Sequence, residues 1–138
     1  PGNNDQTYKQ FINYHEWQGT RDMSAYLTIP TTIKFLNNNK WKEVSSECHK
    51  INLWARQEIN QLLDQESLCS NKFLGQMSSI YLDFKNPIET QINFYKKYKI
   101  QIPFIEWNNK SLIRISIQAY NNKEDIFKLL KALKKEFC

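Results

Sequence analysis

One arginine stands alone inside an apolar run, and its guanidinium is the first group in the chain with chemistry to offer. Residues 111–120 read Ser-Leu-Ile-Arg-Ile-Ser-Ile-Gln-Ala-Tyr. With a period of two, Ile113, Ile115, Ile117 and Ala119 share one face, while Leu112, Arg114, Ser116, Gln118 and Tyr120 share the other. The β-branched content predicts a strand with its isoleucines against a core, so Arg114 points away from that core. A planar fork of donors suits a carboxylate or a phosphate. A neighbouring acid on a solvated face would suit it too, and strand geometry leaves both partners open.

A second group, Gly19-Thr20-Arg21-Asp22, carries turn and N-cap chemistry ahead of a helix, and Arg21 and Asp22 could pair with each other. His15 and His49 have no metal-ligand companions at helical spacing and no serine or cysteine partner in a motif. Neither a metal site nor a hydrolase triad is expected. Only three glycines occur, too few for a glycine-rich phosphate loop. Cys48, Cys69 and Cys138 are odd in number and lack a CxxC spacing, which predicts free thiols in a reducing cytoplasm.

The chain has 138 residues, 41% hydrophobic and 14% aromatic, so it can bury a core of its own. No apolar run approaches the ~20 residues needed to cross a bilayer. The polar start at Pro1 looks neither like a signal peptide nor like an initiation site, and a piece of a longer protein is expected. A net charge of +5 permits contact with nucleic acid or a membrane surface. Its lysines, however, sit on amphipathic helical patterns, as at Lys96, Lys97 and Lys99 and along 131–135, and read as solvated faces.

The elements that position these groups follow from periodicity. Tyr8, Phe11, Tyr14 and Trp17 recur at three and permit a short helical turn. A helix is expected over 24–36, with Tyr26, Leu27, Ile29 and Ile33 inward, kinked or split at Pro30 and stopped by Asn37-Asn38-Asn39. A long helix over 41–65 carries the stripe Val44, Cys48, Ile51, Ala55, Ile59 and Leu62. After a loop over 67–75, a strand over 76–84 presents Ile80, Leu82 and Phe84. Asn86-Pro87 opens a helix bearing Ile88, Ile92, Tyr95 and Tyr98. A strand over 100–107, an edge or bulge at Pro103, turns at Asn108-Asn109-Lys110 into the Arg114 strand. A last helix, capped near Asn121, runs to 136 with Ile126, Leu130, Leu133 and Phe137 inward. The order predicts an α/β, two-layer α+β domain: a small three-stranded, mostly antiparallel sheet with helices packed on one face.

Two stretches resemble a known family. Trp17-Gln18-Gly19-Thr20-Arg21-Asp22-Met23-Ser24-Ala25, running into Ile29-Pro30, is similar to the W-x-G-T-R-D-x-S-A segment of isopenicillin N epimerase-like proteins. These belong to the class V aminotransferase branch of fold-type I pyridoxal-phosphate enzymes, alongside the cysteine desulfurases. Leu112-Ile113-Arg114-Ile115-Ser116, then Tyr120-Asn121 and Glu124-Asp125-Ile126, resembles that family's L-R-I-S…Y-N…x-D-[IL] ending. Cys48-His49 also falls where the family often has histidine. The resemblance spans the chain from about Tyr8 onward.

It implies a C-terminal small domain of the pyridoxal-phosphate transferase type over 23–138, preceded by a lead-in segment, 1–22, from a large domain that lies upstream. That large domain would carry the cofactor-holding lysine, so no catalytic residue is expected in this chain. Arg114 would bind the α-carboxylate of an amino-acid substrate, meeting the demand that the strand pattern already makes. Gly19 and Thr20 would approach the phosphate of pyridoxal 5'-phosphate in a homodimer, because a hydroxyl and backbone N–H groups at a helix start suit that anion. Arg21 and Asp22 would lie at the rim of the site. The reaction would be epimerisation, amino transfer or β-elimination.

Two other classes compete. Tyr81, Trp107 and Tyr120 beside lysines could stack on RNA, although no RNP or GXXG pattern occurs. A non-catalytic interaction domain could use the open sheet face to dock a protein carboxylate. The enzyme reading expects neither nucleic acid nor membrane as a partner.

Overall fold

The computed structural model describes residues 6–16 and 19–138, so Trp17 and Gln18 of the first motif lie outside the described residues. Contacts divide the chain into Pro1–Asn39 and Lys40–Cys138.

In the first unit, α1 (Gln6–Glu16) is a helix of three turns rather than a single one. The helix expected over 24–36 is split into α2 (Ser24–Leu27) and α3 (Ile29–Asn38). Pro30 sits in the first turn of α3, where its missing N–H costs nothing. The Asp22 carboxylate closes the start of α2 by accepting from the Ser24 amide at 2.8 Å. Tyr26, Leu27, Ile29 and Ile33, expected inward, are each at least half exposed. The reason is size: helices this short present an apolar stripe but form no second layer among themselves to cover it.

The second unit holds the core. Its first helix, α4 (Trp41–Leu63), is bounded by left-handed residues, Lys40 at φ 51° and Asp64 at φ 52°. Cys48, Ala55 and Ile59 of the expected stripe are buried, with Val44, Ile51 and Leu62 at its edge. A 3-10 turn (Asn71–Phe73) interrupts the loop that follows. Strand β1 (Met77–Tyr81) leads to α5 (Pro87–Tyr98), which Asn86 caps by accepting from the Glu89 amide at 3.1 Å. Strands β2 (Phe104–Trp107) and β3 (Lys110–Ser116) form a hairpin through Asn108 and Asn109, at φ 51° and 58°. Two consecutive left-handed residues make the twisted turn that asparagine tolerates. Helix α6 (Lys123–Phe137) starts with a capping box between Asn122 and Asp125.

The sheet is antiparallel throughout, in the order β1-β3-β2, so the Arg114 strand is central. Ile113 faces Ile80 on one side and Phe104 on the other. Ile80, Leu82, Phe104, Ile113, Ile115 and Ile117 join α4, α5 and α6 residues in one buried cluster, whereas Leu112, although buried, stays outside it. The helices of this unit therefore pack on one face of the sheet.

Three local expectations are corrected. Residues 100–103 are not strand: Pro103 has no donor, and its carbonyl instead accepts from the Arg114 amide at 3.2 Å, ending the ladder there. Ala119 is exposed because the chain turns at Gln118, whose carbonyl accepts from the Asn121 amide. On α5 the inward residue is Phe94, packed on Tyr98, Phe104 and Phe137, while Ile88, Ile92 and Tyr95 face outward. Aromatic packing at the hairpin, invisible to helical spacing, set that register.

Candidate carboxylate site around Arg114

Strand β3 brings Arg114 directly opposite Ser79 of β1, with Leu112 two residues away on the same face. That face also carries Met77, Tyr81, Ile105 and Trp107 by register. Leu112 is buried beside the arginine, which lowers the local polarity. The Nε of Arg114 is buried and has no hydrogen-bond partner. No acid pairs with Arg114 among the described residues. A buried donor left unmatched is costly, and a ligand oxygen is one way to satisfy it.

Two hollows meet at this side chain. One, of 290 Å³, is lined by Arg56, Leu68, Cys69, Leu74, Met77, Ser79 and Arg114. The other, a larger cleft of 660 Å³, runs from Pro103 past Ser116 to Tyr120 and Asp125. Asp125 is the acid of that cleft, and its carboxylate already accepts from the Asn122 amide at 3.2 Å. A cation with a free donor between two hollows can bind and orient a carboxylate.

The wall of the smaller pocket depends on residues that sequence reasoning missed. A polar stripe on α4, beside the apolar one, ties down the loop over 67–75. His49 Nδ1 and Asn52 Nδ2 lie 2.8 and 3.1 Å from the Gly75 carbonyl. Arg56 donates to the Cys69 carbonyl at 2.8 Å and to the Asn71 side chain. Asn60 donates to the Ser67 hydroxyl at 3.0 Å. Asn52 also accepts from the buried Ser78 hydroxyl at 2.9 Å. The spacing 49, 52, 56, 60 was the available signal: a second helical stripe of hydrogen-bonding side chains.

Gly19 to Asp22 belong to the first unit and Arg114 to the second. Gly19 has φ 69°, a left-handed conformation that favours glycine, and open space where a Cβ would stand. The Thr20 side chain makes no hydrogen bond among the described residues, whereas Asp22 is held by Ser24. The Ser24 hydroxyl and amide keep the Asp22 carboxyl below its ordinary range. Arg21 contacts Met23 Sδ at 3.3 Å and lies 4.7 Å over the Tyr26 ring.

Among the described residues no cluster of His, Cys, Asp or Glu could hold a metal ion, and no helix is long and apolar enough to cross a membrane. Tyr81 and Trp107 share the open sheet face with Lys110, whose Nζ donates to Tyr81 at 3.1 Å. Tyr120 lies in the turn beyond the ladder and does not extend that surface.

No protein-family model matches the chain. The sequence is similar to hercynylcysteine sulfoxide lyase of Schizosaccharomyces pombe, 26% identical over 137 residues, covering 97% of this chain and 33% of that protein. The chain thus spans about a third of the length of this curated relative. In fold it is similar to 8-amino-7-oxononanoate synthase from Francisella tularensis, with a TM-score of 0.59 and 20% identity, over 76% of this chain and 30% of that one. The fold is of the pyridoxal-phosphate transferase kind. Both likenesses are to a part of a larger enzyme, a lyase in one case and a synthase in the other.

Proposed function

We propose that this chain is the C-terminal small domain of a class V aminotransferase-like enzyme, close to the isopenicillin N epimerase-like proteins, that acts on an amino acid. The observation that carries the reading is the buried, unpartnered Nε of Arg114 at the junction of two hollows. In this reading Arg114 binds the α-carboxylate and holds the amino acid so that the bond to be broken at Cα stands at a fixed angle, an orientation effect. Leu112 is buried on the same face, and Leu68, Cys69 and Leu74 line the hollow beside the arginine.

Residues 1–22 would be the lead-in from the large domain, and the open face bearing Trp107 and Met77 would meet that domain. Gly19 and Thr20 fit a phosphate: the glycine's backbone is unobstructed and the hydroxyl has no described partner. They would hold the phosphate of pyridoxal 5'-phosphate across a homodimer, with Arg21 and Asp22 near the rim. Bound pyridoxal phosphate supplies an electron sink for cleavage at Cα. Of epimerisation, amino transfer and β-elimination, the likeness to a sulfoxide lyase favours elimination of a sulfur-bearing side-chain group. The enzyme would work in the cytoplasm.

The experiment is to titrate the complete gene product, and its Arg114→Ala and Arg114→Lys variants, with amino acids while following cofactor absorbance. A charge-assisted contact of about 1.5–3 kcal/mol corresponds to roughly 10- to 150-fold weaker amino-acid binding in Arg114→Ala, with the resting spectrum unchanged. Unchanged binding would remove the carboxylate assignment. A colourless complete protein would favour the interaction-domain reading.

A further inference from the structure

Arg56 is a buried cation, 5% exposed, with no acid beside it among the described residues. Desolvating a guanidinium is unfavourable unless its hydrogen bonds are well placed. Those bonds go to the Cys69 carbonyl and the Asn71 side chain, midway along the loop that lines the Arg114 pocket. Asn60 anchors one end of the loop at Ser67, and His49 and Asn52 anchor the other at Gly75. Arg56 is thus the central tie of a ladder between helix and loop. Between its ties the loop presents Leu68, Cys69 and Leu74 to the 290 Å³ pocket, opposite Ser79 and Arg114.

We propose that Arg56 is a positioning residue: it fixes this loop as the wall that receives the substrate's side chain while Arg114 holds the carboxylate. The loop then sets which amino acids are accepted, favouring side chains whose length fits between Leu68, Leu74 and Met77. The inference rests on the amino-acid reading of Arg114. A planar fork bridges a backbone carbonyl and a side-chain amide at once, whereas a lysine ammonium is a single point donor on a flexible stem.

The test uses the complete gene product with its cofactor and the variants Arg56→Met, Arg56→Lys, Asn71→Ala and Arg114→Ala. Two quantities are read: kcat and KM across α-amino acids of increasing side-chain length, and hydrogen exchange of the amides over 67–75. Arg56→Met should speed exchange in the loop at least tenfold while amides of β3 stay protected. It should also compress the preference between short and long side chains at least tenfold, through KM rather than kcat, and Arg56→Lys should fail to restore it. Asn71→Ala removes one tie and should shift both readouts in the same direction, even where the Arg56 variants do not fold. Loop exchange that rises without any change in side-chain preference overturns the proposal, as does exchange that does not change. If Arg114→Ala leaves amino-acid binding intact, the reading of Arg114 fails instead.

Discussion

The hydroxyl of Tyr98 donates to the carboxylate of Glu136 at 2.5 Å, and Lys97 pairs with the same carboxylate, joining the end of α5 to the end of α6. The Lys97 and Tyr98 donors hold the Glu136 carboxyl below its ordinary value of 4.5, so its contribution is present above that value and is lost as pH falls through the depressed one. Glu136 raises Lys97 above 10.5, while desolvation, then Glu136, raises Tyr98 above 10.0. Their contributions are present below those values and fade as pH rises through the raised ones. Thermal unfolding against pH should therefore show an acid limb that Glu136→Gln flattens. Because the pair is partly exposed, salt should flatten it as well. Parallel curves for the two proteins would show that the contact contributes nothing.

Ile113, fully buried where all three strands and the helices meet, should be the most sensitive position of the sheet. Ile113→Ala should cost about 2–5 kcal/mol and Ile113→Val about 0.5–1.5 kcal/mol, measured by denaturant unfolding. A loss below 1 kcal/mol for the alanine variant would mean that the surrounding side chains collapse into the space.

At the start of α6, the Asn122 side chain accepts from the amides of Glu124 and Asp125 at 2.8 and 3.2 Å. Asn122→Ala should lose about 1 kcal/mol, and Asn122→Asp should retain the cap. Equal losses in both would show that packing, rather than capping, holds this end.

Trp107 is 65% exposed and Met77 49% exposed on the face around Arg114. A face of this kind predicts that the 138-residue chain alone self-associates at high concentration. Light scattering should show its mass rising with concentration, and Trp107→Lys should return it towards the monomer. A wild-type mass that does not change with concentration would count against a surface that needs covering.

Much of the architecture was legible in the chain because the signals were local. The period-two isoleucines and the Asn108-Asn109 turn specify a hairpin. The stripe at Cys48, Ala55 and Ile59 specifies α4, and Asn86-Pro87 and Asn122 mark helix starts. They also put Arg114 on the face opposite the core, since a strand has only two faces and the isoleucines claim one. What sequence spacing could not decide was anything set by partners distant along the chain. Phe94 displaced Ile88, Ile92 and Tyr95 as the inward residue of α5 because Phe104 and Phe137 met it. Whether Arg114 had an acid beside it depended on what β1, the loop over 67–75 and α4 brought close; they brought Ser79, Cys69 and Arg56. The tie from Arg56 to that loop joins positions 13 and 15 residues apart, through a carbonyl that has no residue type to read. Side-chain pattern reveals faces, but only the folded chain shows which backbone groups those faces must satisfy.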